Sequence, residues 1–142
     1  MMLADQNVQN FLGGKQIVVF ATIQHDGSPL AMPMWFLHDP ASLAMISVED
    51  TQKVRNLRRD PRVCVVAEAV SERGEIQGVT VTGTAAFLAD GPNRHALAER
   101  FHAKYPGLAR LWGGRAMPGN RVMFRISPVR VRAWGLESAR DD

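Results

Sequence analysis

Thr51-Gln52-Lys53-Val54-Arg55-Asn56-Leu57-Arg58-Arg59-Asp60-Pro61-Arg62 sets five basic side chains between two apolar, strand-like stretches. Glu49, Asp50 and Thr51 supply helix-starting residues, Val54 and Leu57 recur at helical spacing, and Pro61 stops the helix. A helix start presents unpaired N–H groups and the positive end of the macrodipole, and Lys53 adds a full charge in the same turn. Lys53 is one of three lysines against fourteen arginines, so it is not simply the chain's usual basic residue. The segment reads as an anion site for a phosphate or carboxylate. Taken alone it reads equally well as a solvated basic helix face, and the elements on either side decide.

Upstream, Asp5 caps a short helix that turns Val8, Phe11 and Leu12 inward and stops at Gly13-Gly14. Gln16 to Gln24 is a nearly continuous β-branched and aromatic run, the pattern of a strand buried on both faces. His25-Asp26-Gly27-Ser28 carries the Asp-Gly chemistry of a hairpin, Leu30 to His38 is the return strand, and Leu43 to Val48 is the third. Downstream, Arg62 to Val70 and Ile76 to Leu88 form another antiparallel pair. In the second of these Val79, Val81, Gly83, Ala85 and Phe87 alternate with Thr80, Thr82, Thr84 and Ala86. Pro92-Asn93 opens a helix whose Leu97, Phe101 and Tyr105 make a core stripe, and Pro106-Gly107 ends it. Arg121 to Ser127 and Val129 to Leu136 follow as two final strands. Seven strands against three short helices predict a mainly β fold, closed into a barrel to remove its sheet edges.

Length and composition bound the function. A chain of 142 residues makes one domain, spanning 1–142, and a domain near this size buries roughly 70% of its unfolded surface. The polar segment Met1 to Asn10 lacks signal-peptide character, and the apolar run around Ile17 to Ile23 is far too short to span a bilayer, which points to a cytoplasmic protein without a membrane partner. Cys64 is alone and lies within Val63-Cys64-Val65-Val66, so it reads as core filler. His25, His38, His95 and His102 show no metal spacing, and neither a Gly-x-Ser-x-Gly elbow nor a carboxylate pair is present. The net charge of +3 is modest, and its basic residues are local, at 55–62 and again at Arg121, Arg125, Arg130 and Arg132.

The hairpin from Ala21-Thr22-Ile23 through Gly27-Ser28-Pro29, the strand Pro33-Met34-Trp35-Phe36, the run Lys53 to Arg62, and Ile126-Ser127-Pro128 with Trp134 together resemble the split β-barrel flavin-binding proteins related to pyridoxamine 5′-phosphate oxidase. The resemblance covers nearly the whole chain. The Lys53 to Arg62 run is its specific part, and it is most similar to the small branch that uses the deazaflavin coenzyme F420. The resemblance implies a split β-barrel of the FMN-binding-protein type. It also implies hydride transfer between a bound deazaflavin and a small organic substrate such as a quinone, enone or tetrapyrrole, with FMN as the alternative cofactor.

Both cofactors carry a tricyclic ring on a ribityl phosphate, so each needs an anion site and a flat slot. On the resemblance, Lys53 with Ser47 or Thr51 holds the phosphate, while Met32, Pro33, Met34 and Trp35 border the ring. The oligoglutamate tail of the deazaflavin calls for a basic groove, for which Arg55, Arg58, Arg59 and Arg62 stand available, and Asn56 is counted with the cofactor-binding residues. The cofactor supplies the chemistry and the protein orients it, so few catalytic side chains are expected. A proton donor is left open among water, Tyr105, an arginine and a backbone group. The family further implies a homodimer with its cofactor sites in the interface, for which Leu111 to Arg115 and Trp134 are candidate surfaces. The rival readings are an FMN-dependent oxidase or flavin reductase, a flavin-binding module without turnover, and a nucleic-acid-binding barrel. The last is disfavoured by the scarcity of aromatics among the arginines of the closing strands.

Overall fold

The computed structural model describes residues 1–136. Helix α1 (Gln6–Gly13) leads into β1 (Val18–Ile23), β2 (Pro29–Met34), β3 (Leu37–His38), β4 (Leu43–Val48), α2 (Gln52–Arg59), β5 (Arg62–Val70), β6 (Ile76–Phe87), α3 (Pro92–Lys104), α4 (Leu108–Leu111) and β7 (Arg121–Trp134). The strands form one sheet in the order β2-β1-β5-β6-β7-β4-β3, every neighbour antiparallel. Its two edge strands, β2 and β3, are consecutive in the chain and separated only by Trp35 and Phe36. Three Cα steps span at most about 11 Å. The sheet must therefore curl until its edges nearly meet, and the barrel is completed by the chain itself rather than by a ladder of hydrogen bonds. The mainly β, split-barrel architecture predicted from the sequence is what is observed.

The seven strands are not the seven expected. Leu30 to His38 does not run through; it breaks at Trp35-Phe36, where the chain leaves one edge for the other. The two closing strands are instead one long strand. Pro128 lacks an N–H, and the register slips beside it: Gly83 pairs with Pro128 but Thr82 with Arg130, leaving Val129 as the extra residue of a bulge. The one-turn helix α4 had no signal in the sequence. Strand β1 alternates rather than being buried on both faces, with Val18, Phe20 and Thr22 inside and Val19 40% exposed, because only the inner face of the curl is covered by this chain.

The turn between β1 and β2 is the Asp-Gly hairpin expected. Gly27 sits at φ +87°, a conformation glycine adopts without a Cβ penalty, and the Asp26 carboxylate accepts the Ser28 N–H at 3.0 Å. Inside the curl, Phe20 stacks on Phe124 at 5.5 Å between centroids and Phe87 meets Phe124 edge-on at 6.0 Å. A second apolar layer lies between the sheet and α3–α4, built from Ala44, Met123, Leu97, Phe101, Tyr105, Leu108 and Trp112. The Leu97, Phe101, Tyr105 stripe is thus core, as its spacing implied. Helix α2 is fixed by Val54 and Leu57 and by a buried polar link, in which the Asn56 amide donates to Thr22 Oγ1 at 3.0 Å while its oxygen accepts from Gln52 Nε2 at 2.9 Å.

At the bulge, a Cβ on Gly83 would lie 2.2 Å from the Ser127 carbonyl oxygen, a backbone atom that has nowhere to go. Gly83→Ala is expected to lower the unfolding free energy by about 1–3 kcal/mol, read as a lower urea midpoint with an unchanged slope.

Candidate functional site

Strand β4 ends at Val48, and the chain turns directly into α2, so the two elements place Ser47, Thr51 and Lys53 around one corner. Thr51 is the N-cap residue of α2, but its side chain does not cap the helix, and neither does any other. Its hydroxyl turns back to the Val48 carbonyl at 3.2 Å, an oxygen that the Ser47 hydroxyl also approaches at 3.0 Å, and the two hydroxyls lie 3.2 Å from each other. Three contacts share two protons. A ligand acceptor would therefore exchange with one of these contacts.

Lys53 points into a pocket of about 230 Å³ bounded by Met34, Trp35, Ser47 and Thr51 on the barrel side, by Phe101, Leu108, Leu111 and Trp112 of α3–α4, and by Arg121. No Asp or Glu among the described residues forms an ion pair with it. Partial burial holds its pKa below the ordinary lysine value. An ammonium group partly desolvated without a counter-ion is incompletely satisfied, and an anionic ligand relieves it. Trp35 lies flat on Tyr105, 4.5 Å between centroids and 8° from parallel, and still keeps 38% of its surface exposed at the pocket. Such a supported indole is a ready stacking wall.

Tyr105 is the support. Its hydroxyl accepts the Phe36 N–H at 2.9 Å and directs its own proton toward the carbonyls of Gln16 (2.8 Å) and Phe36 (3.1 Å). Burial raises its pKa, only partly offset by the Phe36 backbone bond. The group expected as one possible proton donor is thus engaged in holding the split of the barrel. Lys104 lies over the Phe36 ring at 3.7 Å and donates to the Phe36 carbonyl at 2.9 Å.

Of the residues singled out from sequence, Met34, Trp35, Ser47, Thr51 and Lys53 are brought together and the others are not. Met32 packs against the inner core, and Pro33 faces outward across from Val19. Asn56 is fully buried in its link to Thr22, so it serves the fold. Arg55 donates to the Asp50 carbonyl at 2.9 Å and to Gln52 Oε1 at 3.0 Å, Arg58 stacks 4.5 Å above the Phe87 ring, and Arg59 donates to the Ile23 carbonyl. Arg62 forks onto Asp60 at 3.0 and 2.8 Å; its hydrogen bonds push the Asp60 carboxyl down to about 2, and the arginine side chain is exposed. The helix explains the separation: at roughly 100° per residue, Arg55 and Arg59 lie about 200° and 240° around the axis from Lys53. Proximity in sequence is here divergence in space.

Arg121 and the α3–α4 wall escaped the sequence reading. Arg121 reaches the pocket because β7 pairs with β4 in a register that sets it opposite Val48. No local signal encodes that register. A larger cleft of about 510 Å³ lies between α3 and Ala116–Gly119 and contains His95 and His102. His95 pairs with the exposed Asp90, and His102 bonds the Ala116 carbonyl at 2.7 Å and meets Trp112 edge-on, so both are already occupied. The smaller pocket, with its unpaired cation and flat wall, is the better candidate.

The family of pyridoxamine 5′-phosphate oxidase matches residues 4–135. The chain belongs to this family. Among solved structures, a conserved hypothetical protein from Mycobacterium tuberculosis superposes with a TM-score of 0.79 at 27% identity, over 92% of this chain and 83% of its own. A Listeria innocua protein provisionally assigned as a pyridoxamine 5′-phosphate oxidase gives 0.72 at 26%, over 93% and 98%. An F420 reductase gives 0.65 at 21%, over 87% and 94%, a likeness of fold. No helix among the described residues of this family member is long and apolar enough to cross a membrane.

Burial, and then the neighbouring Arg100, hold the Lys104 ammonium at about 8 rather than 10.5. Between those values the unfolded chain binds more protons than the folded one, so stability rises with pH through that window and is flat on either side. The difference in thermal midpoint between the native chain and Lys104→Met, followed from pH 7 to 11, is expected to shift in favour of the native chain above about pH 8.

Proposed function

We propose that this protein is an oxidoreductase that binds the deazaflavin coenzyme F420 and passes a hydride between it and a small organic substrate of the quinone, enone or tetrapyrrole type. The observation that carries the reading is the meeting of Lys53, the Ser47 and Thr51 hydroxyls and the supported Trp35 in one pocket. The donor set fits a ribityl phosphate: one ammonium without a counter-ion, two hydroxyls with a proton to redirect, and a helix start that no side chain caps. Met34 and Trp35 would border the ring, and Phe101, Leu108 and Trp112 supply the apolar lining that would shield it from water. When bound, the ring supplies the hydride chemistry, and the chain's own residues bind and orient. The family and an F420 reductase of the same fold support this class.

The choice of deazaflavin rests on Arg55, Arg58 and Arg59, which lie outside the pocket on the exposed side of α2, where a polycarboxylate tail would run. That same placement favours FMN as the second reading, since none of the three reaches into the pocket itself. We further propose a cytoplasmic homodimer, with Val19, Pro33 and Val66 on the outward face of β2-β1-β5 as a contact beside the exposed Leu111 and Trp134, whereas Trp112 is buried within its own domain.

Equilibrium titration of the apoprotein with coenzyme F420 and with FMN separates the readings. A charge-assisted hydrogen bond contributes about 1.5–3 kcal/mol, roughly ten- to hundredfold in affinity. Lys53→Ala is expected to weaken both cofactors by that factor, and Arg58→Ala to weaken the deazaflavin alone. Undiminished binding of both by Lys53→Ala contradicts the assignment of the pocket, and an Arg58→Ala variant without effect on either transfers the reading to FMN.

A further inference from the structure

On the other side of the Trp35-Phe36 break, a cleft of about 390 Å³ is walled by Gly13, Gln16, His38, Arg100 and Lys104. Arg100 donates to the His38 carbonyl at 3.0 Å and Lys104 to the Phe36 carbonyl at 2.9 Å, so both cations are drawn to the broken edge of the sheet. His38 Nδ1 lies 3.0 Å from Gln9 Oε1. Its other nitrogen, Nε2, lies 3.7 Å from where a Cβ on Gly13 would stand, so the glycine leaves that edge of the ring open.

Carbonyls satisfy the donors of these groups without neutralising their charge. Among the described residues no Asp or Glu is in ion-pair contact with any of the three. The charge of Asp39 acts on His38, and its carboxylate is engaged by the Ala41 and Ser42 N–H groups at 2.8 and 2.9 Å. The carboxyl ends of α1 and α3 lie here too, and each contributes about half a negative charge. Together they offset about one cation of two, or of three once His38 is protonated.

We propose that this cleft is a second anion site that takes a phosphate dianion, either free or as the monoester end of a small molecule. With His38 neutral the residual charge is about one, which a monoanion also matches; once His38 is protonated it is about two, so a dianion is the ligand whose binding is coupled to that proton. Arg100 offers a planar fork, Lys104 a point charge, and protonated His38 a third donor through Nε2. Electrostatics agree: burial, then Lys104 and Arg100, hold His38 below its ordinary pKa, a strain that a bound dianion reverses. The site is distinct from the Lys53 pocket and does not depend on the cofactor reading.

The test is NMR of the His38 imidazole in the full chain, titrated with inorganic phosphate, glycerol 3-phosphate and, at matched ionic strength, sodium chloride. Phosphate or its ester is expected to give a saturable shift and a higher His38 pKa, at least tenfold weaker in Arg100→Gln and unchanged in Lys53→Ala. An ester that binds more tightly than phosphate identifies a phosphorylated small molecule as the ligand; equal or weaker binding identifies free phosphate. Shifts that chloride reproduces, no saturable shift, or binding retained in full by Arg100→Gln overturn the proposal. Lys104→Met is a second variant with the same expectation, and the exposed Arg100 position carries the test if Lys104→Met does not fold.

Discussion

One tyrosine hydroxyl holds the split in this barrel. The sheet's edges are consecutive strands, so its closure depends on two residues, Trp35 and Phe36, whose backbone groups leave the ladder there. Tyr105 reaches in from the end of α3, accepts the Phe36 N–H and meets the carbonyls of Phe36 and Gln16. Buried backbone groups without partners cost about 1–3 kcal/mol each, so this contact makes the break tolerable. It also sets direction. Phe36 is fully buried in the barrel, while Trp35 is turned out and laid flat on the tyrosine ring.

The candidate site follows from that geometry. With Trp35 fixed as one wall, α3 and α4 supply the opposite one, and the turn from β4 into α2 brings the positive end of a helix to the rim. What distinguishes Lys53 from the other basic residues of the 53–62 run is the absence of a partner. Arg55, Arg59 and Arg62 have oxygen acceptors from the chain and Arg58 has an aromatic face, whereas Lys53 is half-buried beside neutral hydroxyls. A charge taken from water and left unpaired is tolerated where a ligand completes it.

Much of the fold was legible because its signals are local. The Asp-Gly hairpin, the alternation of β6, the Leu97, Phe101, Tyr105 stripe and the Pro61 stop each fix a few neighbouring residues, and each stands where expected. The break at Trp35-Phe36 was not legible, since an apolar run continues through it and only the meeting of distant edges ends the strand. Pro128 reads as a boundary in the sequence, whereas a bulge opposite Gly83 absorbs it and the strand continues. At the site, Lys53, Ser47, Thr51, Met34 and Trp35 were accessible because they lie close in sequence and their chemistry is distinctive. Asn56, a polar residue in a basic run, reads as surface, whereas it is buried against Thr22, 34 positions away. Arg121 depends on cross-strand register, which the local pattern does not contain.

The central claim is that the unpaired Lys53 receives the acidic group of a redox cofactor whose ring lies along Trp35. The position of the phosphorus atom in a crystal structure of the protein with bound FMN or coenzyme F420 tests it most directly. The account predicts phosphate oxygens within hydrogen-bond distance of Lys53 Nζ and a Ser47 or Thr51 hydroxyl, with the ring against Met34 and Trp35. A cofactor bound elsewhere, with Lys53 left in solvent, would contradict it.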